Sequence, residues 1–215
     1  VVYRLPLPEL TASTRLITVL RGNHATQYFD VIEALISAGV RSMELTLTTP
    51  DTLASLSSLV HEFGSSADIG VGTVTTVGQA IRACRSGASY IVTPVTDPEL
   101  IRISTDNGVA IVPGGLTPTE LHSSWNHGAS AVKVFPARVV GHAYTKDLRG
   151  PFPEMRVIPS GGVDLDGARA WLDAGADAVS VGGPILEDAF DGGDLGQLAA
   201  RAKRFVEVCG AGGGA

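Results

Sequence analysis

Six times along the 215 residues a glycine ends a helix-like stretch and precedes a short apolar run: Ala38-Gly39-Val40, Phe63-Gly64, Ser86-Gly87-Ala88, Asn107-Gly108-Val109, His127-Gly128-Ala129 and Ala174-Gly175-Ala176, with Gly150 filling the one gap. A glycine just past a helix takes the left-handed conformation without a Cβ clash, and the apolar run after it reads as a buried strand. Each glycine therefore marks a helix-to-strand joint. The strands so marked begin near Ser42, Asp68, Ser89, Ala110, Ser130, Met155 and Asp177, and Leu16-Ile17-Thr18-Val19-Leu20 leads them as an eighth. Between them lie amphipathic stretches such as Phe29–Ile36 and Gln79–Cys84, several introduced by capping or proline starts: Thr49-Pro50-Asp51, Asp97-Pro98-Glu99 and Thr117-Pro118-Thr119. Eight strand–helix units with short connections predict an α/β fold, a single (β/α)8 TIM barrel. A doubly wound sheet would carry a Gly-rich dinucleotide loop after its first strand, and Leu20-Arg21-Gly22-Asn23 is not one. One barrel domain is expected over residues 1–209, with a flexible Gly-rich tail over 210–215.

Charge and cysteine content narrow the partners. Against 22 Asp plus Glu there are 16 Lys plus Arg, a formal net charge of -6, and no basic block tracks a phosphate backbone, so no nucleic-acid partner is expected. No apolar run approaches the roughly 18 residues that span a bilayer, so no membrane partner is expected either. Cys84 and Cys209 fit neither a metal-ligand pair nor a disulfide framework. The opening Val-Val-Tyr-Arg-Leu-Pro has no secretory pattern, and the cytoplasm is the expected compartment.

A barrel of this kind gathers its chemistry at the C-terminal ends of the strands. The residues there are Arg21, Glu44 with Thr46, Thr73, Thr93, Gly114 with Gly115, Lys133, Ser160 with Gly161 and Gly162, and Gly182 with Gly183. Lys133 stands out because it interrupts Ala131-Val132-Lys133-Val134-Phe135-Pro136, whereas the other two lysines, Lys146 and Lys203, are not set among apolar residues. A lysine of ordinary pKa is neutral in roughly one molecule in 2,500 at pH 7, and only the neutral amine attacks a carbonyl. An apolar setting disfavours the ammonium and makes a buried lysine a Schiff-base candidate. Glu44, in Ser42-Met43-Glu44-Leu45-Thr46-Leu47, places a carboxylate on another apolar strand, where it would be costly unpaired. An amine and a carboxylate meeting in a barrel mouth suit proton transfer beside a Schiff base; a structural ion pair between them is the plainer alternative. Arg21 could hold a carboxylate by its planar fork, or form a surface ion pair. The glycine pairs 161–162 and 182–183 fall where barrels hold phosphate on backbone N–H groups, and where simple tight turning also places glycine.

With these residues in view, the chain resembles the 2-keto-3-deoxy-6-phosphogluconate aldolases, many of which also cleave 2-keto-4-hydroxyglutarate. The resemblance runs from about Leu16 to Leu186 and is carried by Val19-Leu20-Arg21, Glu44-Leu45-Thr46, Gly72-Thr73-Val74, Val112-Pro113-Gly114, Thr117-Pro118-Thr119-Glu120-Leu121, Lys133-Val134-Phe135-Pro136, Gly150-Pro151-Phe152-Pro153 and Pro159-Ser160-Gly161-Gly162. It implies a class I aldolase needing no metal or other cofactor, built as a (β/α)8 barrel and assembled as a homotrimer, acting on a small keto sugar acid to give pyruvate and an aldehyde. It implies Lys133 as the Schiff-base lysine and Glu44 as the acid/base, working through a water. Arg21 and Thr73 would hold the pyruvate carboxylate, Pro94 and Ser160 would contact substrate, and Gly161, Gly162, Gly182 and Gly183 would cradle phosphate. Four departures bear on substrate: Thr48 stands where some members carry the carboxylate-binding arginine, Pro184 where a serine is common, Arg138 where an acid is frequent, and Val95 at a variable position.

Two other functions fit such a barrel. A phosphosugar isomerase or epimerase would need paired acids or histidines at strand ends, and His24, His61, His122, His127 and His142 all fall in helical or loop stretches. A non-catalytic sugar-acid binding barrel would keep Lys133 as an ordinary titrating lysine.

Overall fold

Strands and helices alternate along residues 3–210, which are the ones described by the computed structural model. The strands are β1 (Leu16–Leu20), β2 (Ser42–Thr46), β3 (Asp68–Gly72), β4 (Tyr90–Val92), β5 (Ala110–Val112), β6 (Gly114–Gly115), β7 (Val132–Val134), β8 (Val157–Pro159) and β9 (Val179–Val181). The helices are α1 (Glu9–Thr14), α2 (Tyr28–Ser37), α3 (Thr52–Phe63), α4 (Val77–Arg85), α5 (Pro98–Asp106), α6 (Pro118–Asn126), α7 (Ala143–Arg149), α8 (Leu165–Asp173), α9 (Gly183–Leu186) and α10 (Leu195–Gly210). The left-handed glycines that the sequence marks at positions 39, 87, 108, 128 and 175 have φ between 72° and 98°. At Gly64 and Gly150 φ is instead -64° and -54°. Gly64 is needed for a different reason: a Cβ there would lie 2.5 Å from the Val60 carbonyl oxygen.

Capping chemistry sets most helix starts. Asp97 accepts from the Glu99 N–H at 2.8 Å ahead of Pro98, and Thr117 forms a reciprocal box with Glu120 ahead of Pro118. The start expected at Thr49-Pro50-Asp51 is corrected. Helix α3 opens at Thr52, Asp51 sits at φ 61° with no capping bond, and its carboxylate meets His24 Nε2 at 2.9 Å. The tail expected over 210–215 lies outside the described residues from 211 onward, and Gly210 is the last residue of α10.

All strand pairings are parallel. They form a six-stranded sheet in the order β5-β4-β3-β2-β1-β9 and a three-stranded sheet in the order β6-β7-β8. The fold is thus α/β with a curled parallel sheet, and its ladder is not one uninterrupted ring of eight strands. Pro113, which has no N–H to donate, divides β5 from β6. Strand side chains alternate between two cores. Outward ones such as Met43, Leu45, Ile69 and Val71 pack with Ile32, Leu35, Leu56 and Leu198 of the helices. Inward ones, among them Ile17, Tyr90, Val92, Ala110, Val112, Ala131, Ile158 and Ala178, meet one another above Leu7. Three of these are alanines, and a Cβ at Gly70 would lie 2.3 Å from the Tyr90 ring, so small neighbours leave the interior space that this ring fills. The phenol is tied to Ser42 Oγ at 2.9 Å, and Ser42 continues to Thr11 Oγ1 at 2.7 Å and on to Asp68. Burial holds the Tyr90 phenol well above its ordinary pKa, only partly countered by its bond to Ser42, so the phenol stays protonated.

Candidate active site

Two residues up the same inward line from Ser42 stands Glu44, 1% exposed, opposite Val19 of β1 and Gly70 of β3. Its carboxylate occupies the space over Gly72: a Cβ there would come within 1.8 Å of Glu44 Oε1. Glycine at that position is therefore part of the site, although nothing in it can react. A Gly72→Ala protein is expected to keep its fold but lose roughly 100-fold in activity, because the added methyl pushes the Glu44 carboxylate about 1 Å from its place beside Lys133; steady-state rates beside a thermal melt check this.

Lys133 lies at the middle of β7 between Val132 and Val134, which bury outward, so the strand period turns the lysine inward. Its side chain is 9% exposed, and Nζ lies 3.7 Å from Glu44 Oε1. That is an ion-pair distance but longer than the roughly 2.7–3.2 Å of a hydrogen bond. Glu44 Oε2 is buried with no hydrogen-bond partner among the described residues. An optimised structural pair would satisfy its remaining lone pairs, because a buried carboxylate left half-satisfied is costly. Here amine and carboxylate face the same opening with hydrogen-bonding capacity to spare. Lys146 and Lys203 are both exposed.

The opening is a cleft of about 610 Å³. The residues given roles by the resemblance border it, Arg21, Glu44, Thr73, Pro94, Lys133, Ser160, Gly161, Gly162, Gly182 and Gly183, whereas Thr46, Thr93, Gly114 and Gly115, also expected at the strand ends, do not. Thr73 is held at φ 61° immediately after β3. For a β-branched residue this conformation costs about 1 to 3 kcal/mol, and such strain concentrates at working sites. Gly161 and Gly162, at φ 88° and 82°, turn the chain so that among the described residues their N–H groups bond to no protein acceptor. Arg21 is exposed at the rim, and Arg138 packs behind Gly162 without bordering the cleft. None of the five histidines lines it. Among the described residues no group of three His, Cys, Asp or Glu is placed to hold a metal ion, and no helix is long and apolar enough to cross a membrane.

Other residues of the cleft escaped the sequence reading. Ser180 borders it and bonds to Ser160 at 3.2 Å; a polar residue interrupting Val179-Ser180-Val181 was the same signal that exposed Lys133. Asn23, Phe135, Glu187, Phe190 and Asp191 also line it. The last three follow α9 in chain segments with no periodic pattern to place them.

Comparison with known proteins adds to this geometry. The family model described as KDPG and KHG aldolase matches residues 8–200. A 2-dehydro-3-deoxy-6-phosphogalactonate aldolase of Escherichia coli (strain K12) is 32% identical over 90% of this chain and 93% of its own. A 2-dehydro-3-deoxy-phosphogluconate aldolase of Pseudomonas aeruginosa is 31% identical over 94% and 92%. Among solved structures, a KDPG aldolase from Legionella pneumophila, with pyruvate captured at low pH as a covalent carbinolamine intermediate, is 26% identical and superposes with a TM-score of 0.79 over 94% of this chain and 95% of its own.

Proposed function

The chain belongs to the KDPG and KHG aldolase family, and from that premise we propose that it is a class I aldolase that reversibly cleaves a 2-keto-3-deoxy-6-phospho sugar acid to pyruvate and D-glyceraldehyde 3-phosphate. The same site would cleave 2-keto-4-hydroxyglutarate to pyruvate and glyoxylate. The observation that carries the reading is a single buried lysine, in a cleft, 3.7 Å from a buried carboxylate with a free oxygen. The carbinolamine in the Legionella relative supports covalent chemistry at such a lysine.

In this mechanism the Lys133 amine adds to C2 of the substrate and water leaves, giving an iminium. Glu44, through a water, takes the C4 hydroxyl proton; the C3–C4 bond breaks, its electron pair flows into the enamine and the aldehyde departs. Glu44 returns a proton to C3, and water hydrolyses the imine to release pyruvate. Arg21 and Thr73 hold the carboxylate, Pro94 and Ser160 border the chain of the substrate, and the N–H groups of Gly161, Gly162, Gly182 and Gly183 face its far end. No metal or cofactor enters.

The wider reading is a single eight-strand barrel, a homotrimer and a cytoplasmic enzyme. For the barrel, support comes from a parallel bridge between Ser160 and Ser180 beside β8 and β9, and from β5 and β6 being one strand broken at Pro113. For the trimer it comes from exposed Val95 and Phe135, which border one depression with Leu116. Borohydride reduction with pyruvate present tests the chemistry: peptide mapping is expected to find one pyruvate-derived adduct on Lys133. An adduct on Lys146 or Lys203 would overturn it.

A further inference from the structure

We propose a second substrate class, resting on the aldolase reading: 2-keto-3-deoxy acids whose far end is an uncharged, hydroxyl-bearing chain, cleaved with an efficiency close to that for their 6-phosphorylated counterparts.

The charges that line the cleft carry this inference. Two cations face it, Arg21 and Lys133, against three carboxylates, Glu44, Glu187 and Asp191. In the mechanism above Lys133 is taken up by the imine and Arg21 by the substrate carboxylate, which leaves no lining cation for a phosphate. Glu187 is compensated from behind by Arg201, 3.3 Å away and outside the cleft lining. Asp191 has no such cation among the described residues: the Asn23 amide donates to its Oδ1 at 3.0 Å, and the same amide donates to the Phe190 carbonyl at 3.2 Å. A neutral group thus fixes an exposed carboxylate at the wall of the cleft.

Backbone donors are also fewer than the turn after β9 would allow. Pro184 follows Gly183 at the start of α9 and has no N–H, so that turn offers donors only from Gly182 and Gly183. A dianionic phosphate meets like charge at this wall. The hydroxyl groups of an uncharged chain instead can donate to the Asp191 carboxylate and accept from the Gly161 and Gly162 N–H groups, so that donors and acceptors of the cleft both find partners. The chain's formal charge of -6 points the same way, since it repels a trianionic substrate more than a monoanionic one.

The test compares kcat/KM for 2-keto-3-deoxygluconate and its 6-phosphate, and for the galactonate pair, using the series with the better C4 configuration. The two values are expected to lie within about tenfold, where a site with full phosphate recognition separates them by hundreds-fold or more. Asp191→Asn should raise kcat/KM for the phosphorylated substrate and lower it for the other, moving the ratio by roughly tenfold. Pro184→Ser should move it the same way by restoring an N–H and adding a hydroxyl. A parent preference for phosphate above 100-fold, or a ratio unmoved by Asp191→Asn, overturns the proposal and leaves the aldolase intact. If neither substrate is cleaved and pyruvate leaves no adduct on Lys133, the aldolase reading itself has failed.

Discussion

A Lys133→Ala protein folds and cleaves 2-keto-3-deoxy acids at no more than roughly one ten-thousandth of the parental rate, the scale on which losing a covalent nucleophile is felt. The size follows from what the amine does: without it no iminium forms, and the electrons of the C3–C4 bond have no sink. Folding is a separate matter, because removing one member of a buried pair leaves Glu44 as an uncompensated buried carboxylate. Lys133→Met, which keeps the length of the side chain in an apolar setting, provides the control. Both variants should show far-UV spectra like the parent and no borohydride-trapped adduct, measured beside cleavage by coupled detection of pyruvate. Cleavage by either above about one hundredth of the parental rate would remove Lys133 from the mechanism.

Glu44→Gln separates imine formation from bond cleavage. The amide has nearly the shape of the carboxylate and still fits over Gly72, so Lys133 should remain trappable with pyruvate. The amide cannot accept the C4 hydroxyl proton, and cleavage should slow by roughly 100- to 10,000-fold, the range for a lost general acid/base. Exchange of the pyruvate methyl hydrogens with solvent, followed by NMR, should slow with it, since that exchange uses the same proton transfer at C3 without any aldehyde. If cleavage slowed while exchange did not, the proton at C3 would have a different carrier; if exchange slowed while cleavage did not, the proton on the C4 hydroxyl would have a different acceptor.

How much of this was readable from the amino acids follows from where patterns exist. The strand starts marked by glycine joints fall within two residues of the observed ones, from Ser42 to Asp177, because a helix end and a buried strand both leave local signatures. Lys133 and Glu44 were legible because each violates the apolar character of its strand, and a violation in a buried position calls for a reason. The same rule applied to Ser180 would have found it, but a small hydroxyl in a strand is cheap to bury and draws less notice. Asn23, Glu187 and Asp191 were not legible: they reach the cleft through tertiary placement of loops, which no periodicity encodes. The division of the sheet at Pro113 depends on which N–H groups the ladder needs, a property of register and not of composition. Asp51 was misread for a related reason, since its carboxylate is drawn to His24, a partner 27 positions away, and leaves the helix start uncapped.

Ser42 and Glu44 project from one strand into the same interior, two positions apart, the lower joined to Tyr90 and the upper facing Lys133. In the proposed mechanism the reacting groups therefore stand on a foundation that takes no part in the reaction. Inheritance can act on the two storeys separately. On the proposed reading, changes to the rim segments that carry Asn23, Pro184 and Asp191 redirect which aldehyde is accepted without disturbing the Tyr90 floor. Changes to the floor, by contrast, reach every substrate at once by tilting the carboxylate above it. A lineage that keeps Gly70, Ser42 and Tyr90 is thereby free to vary its diet.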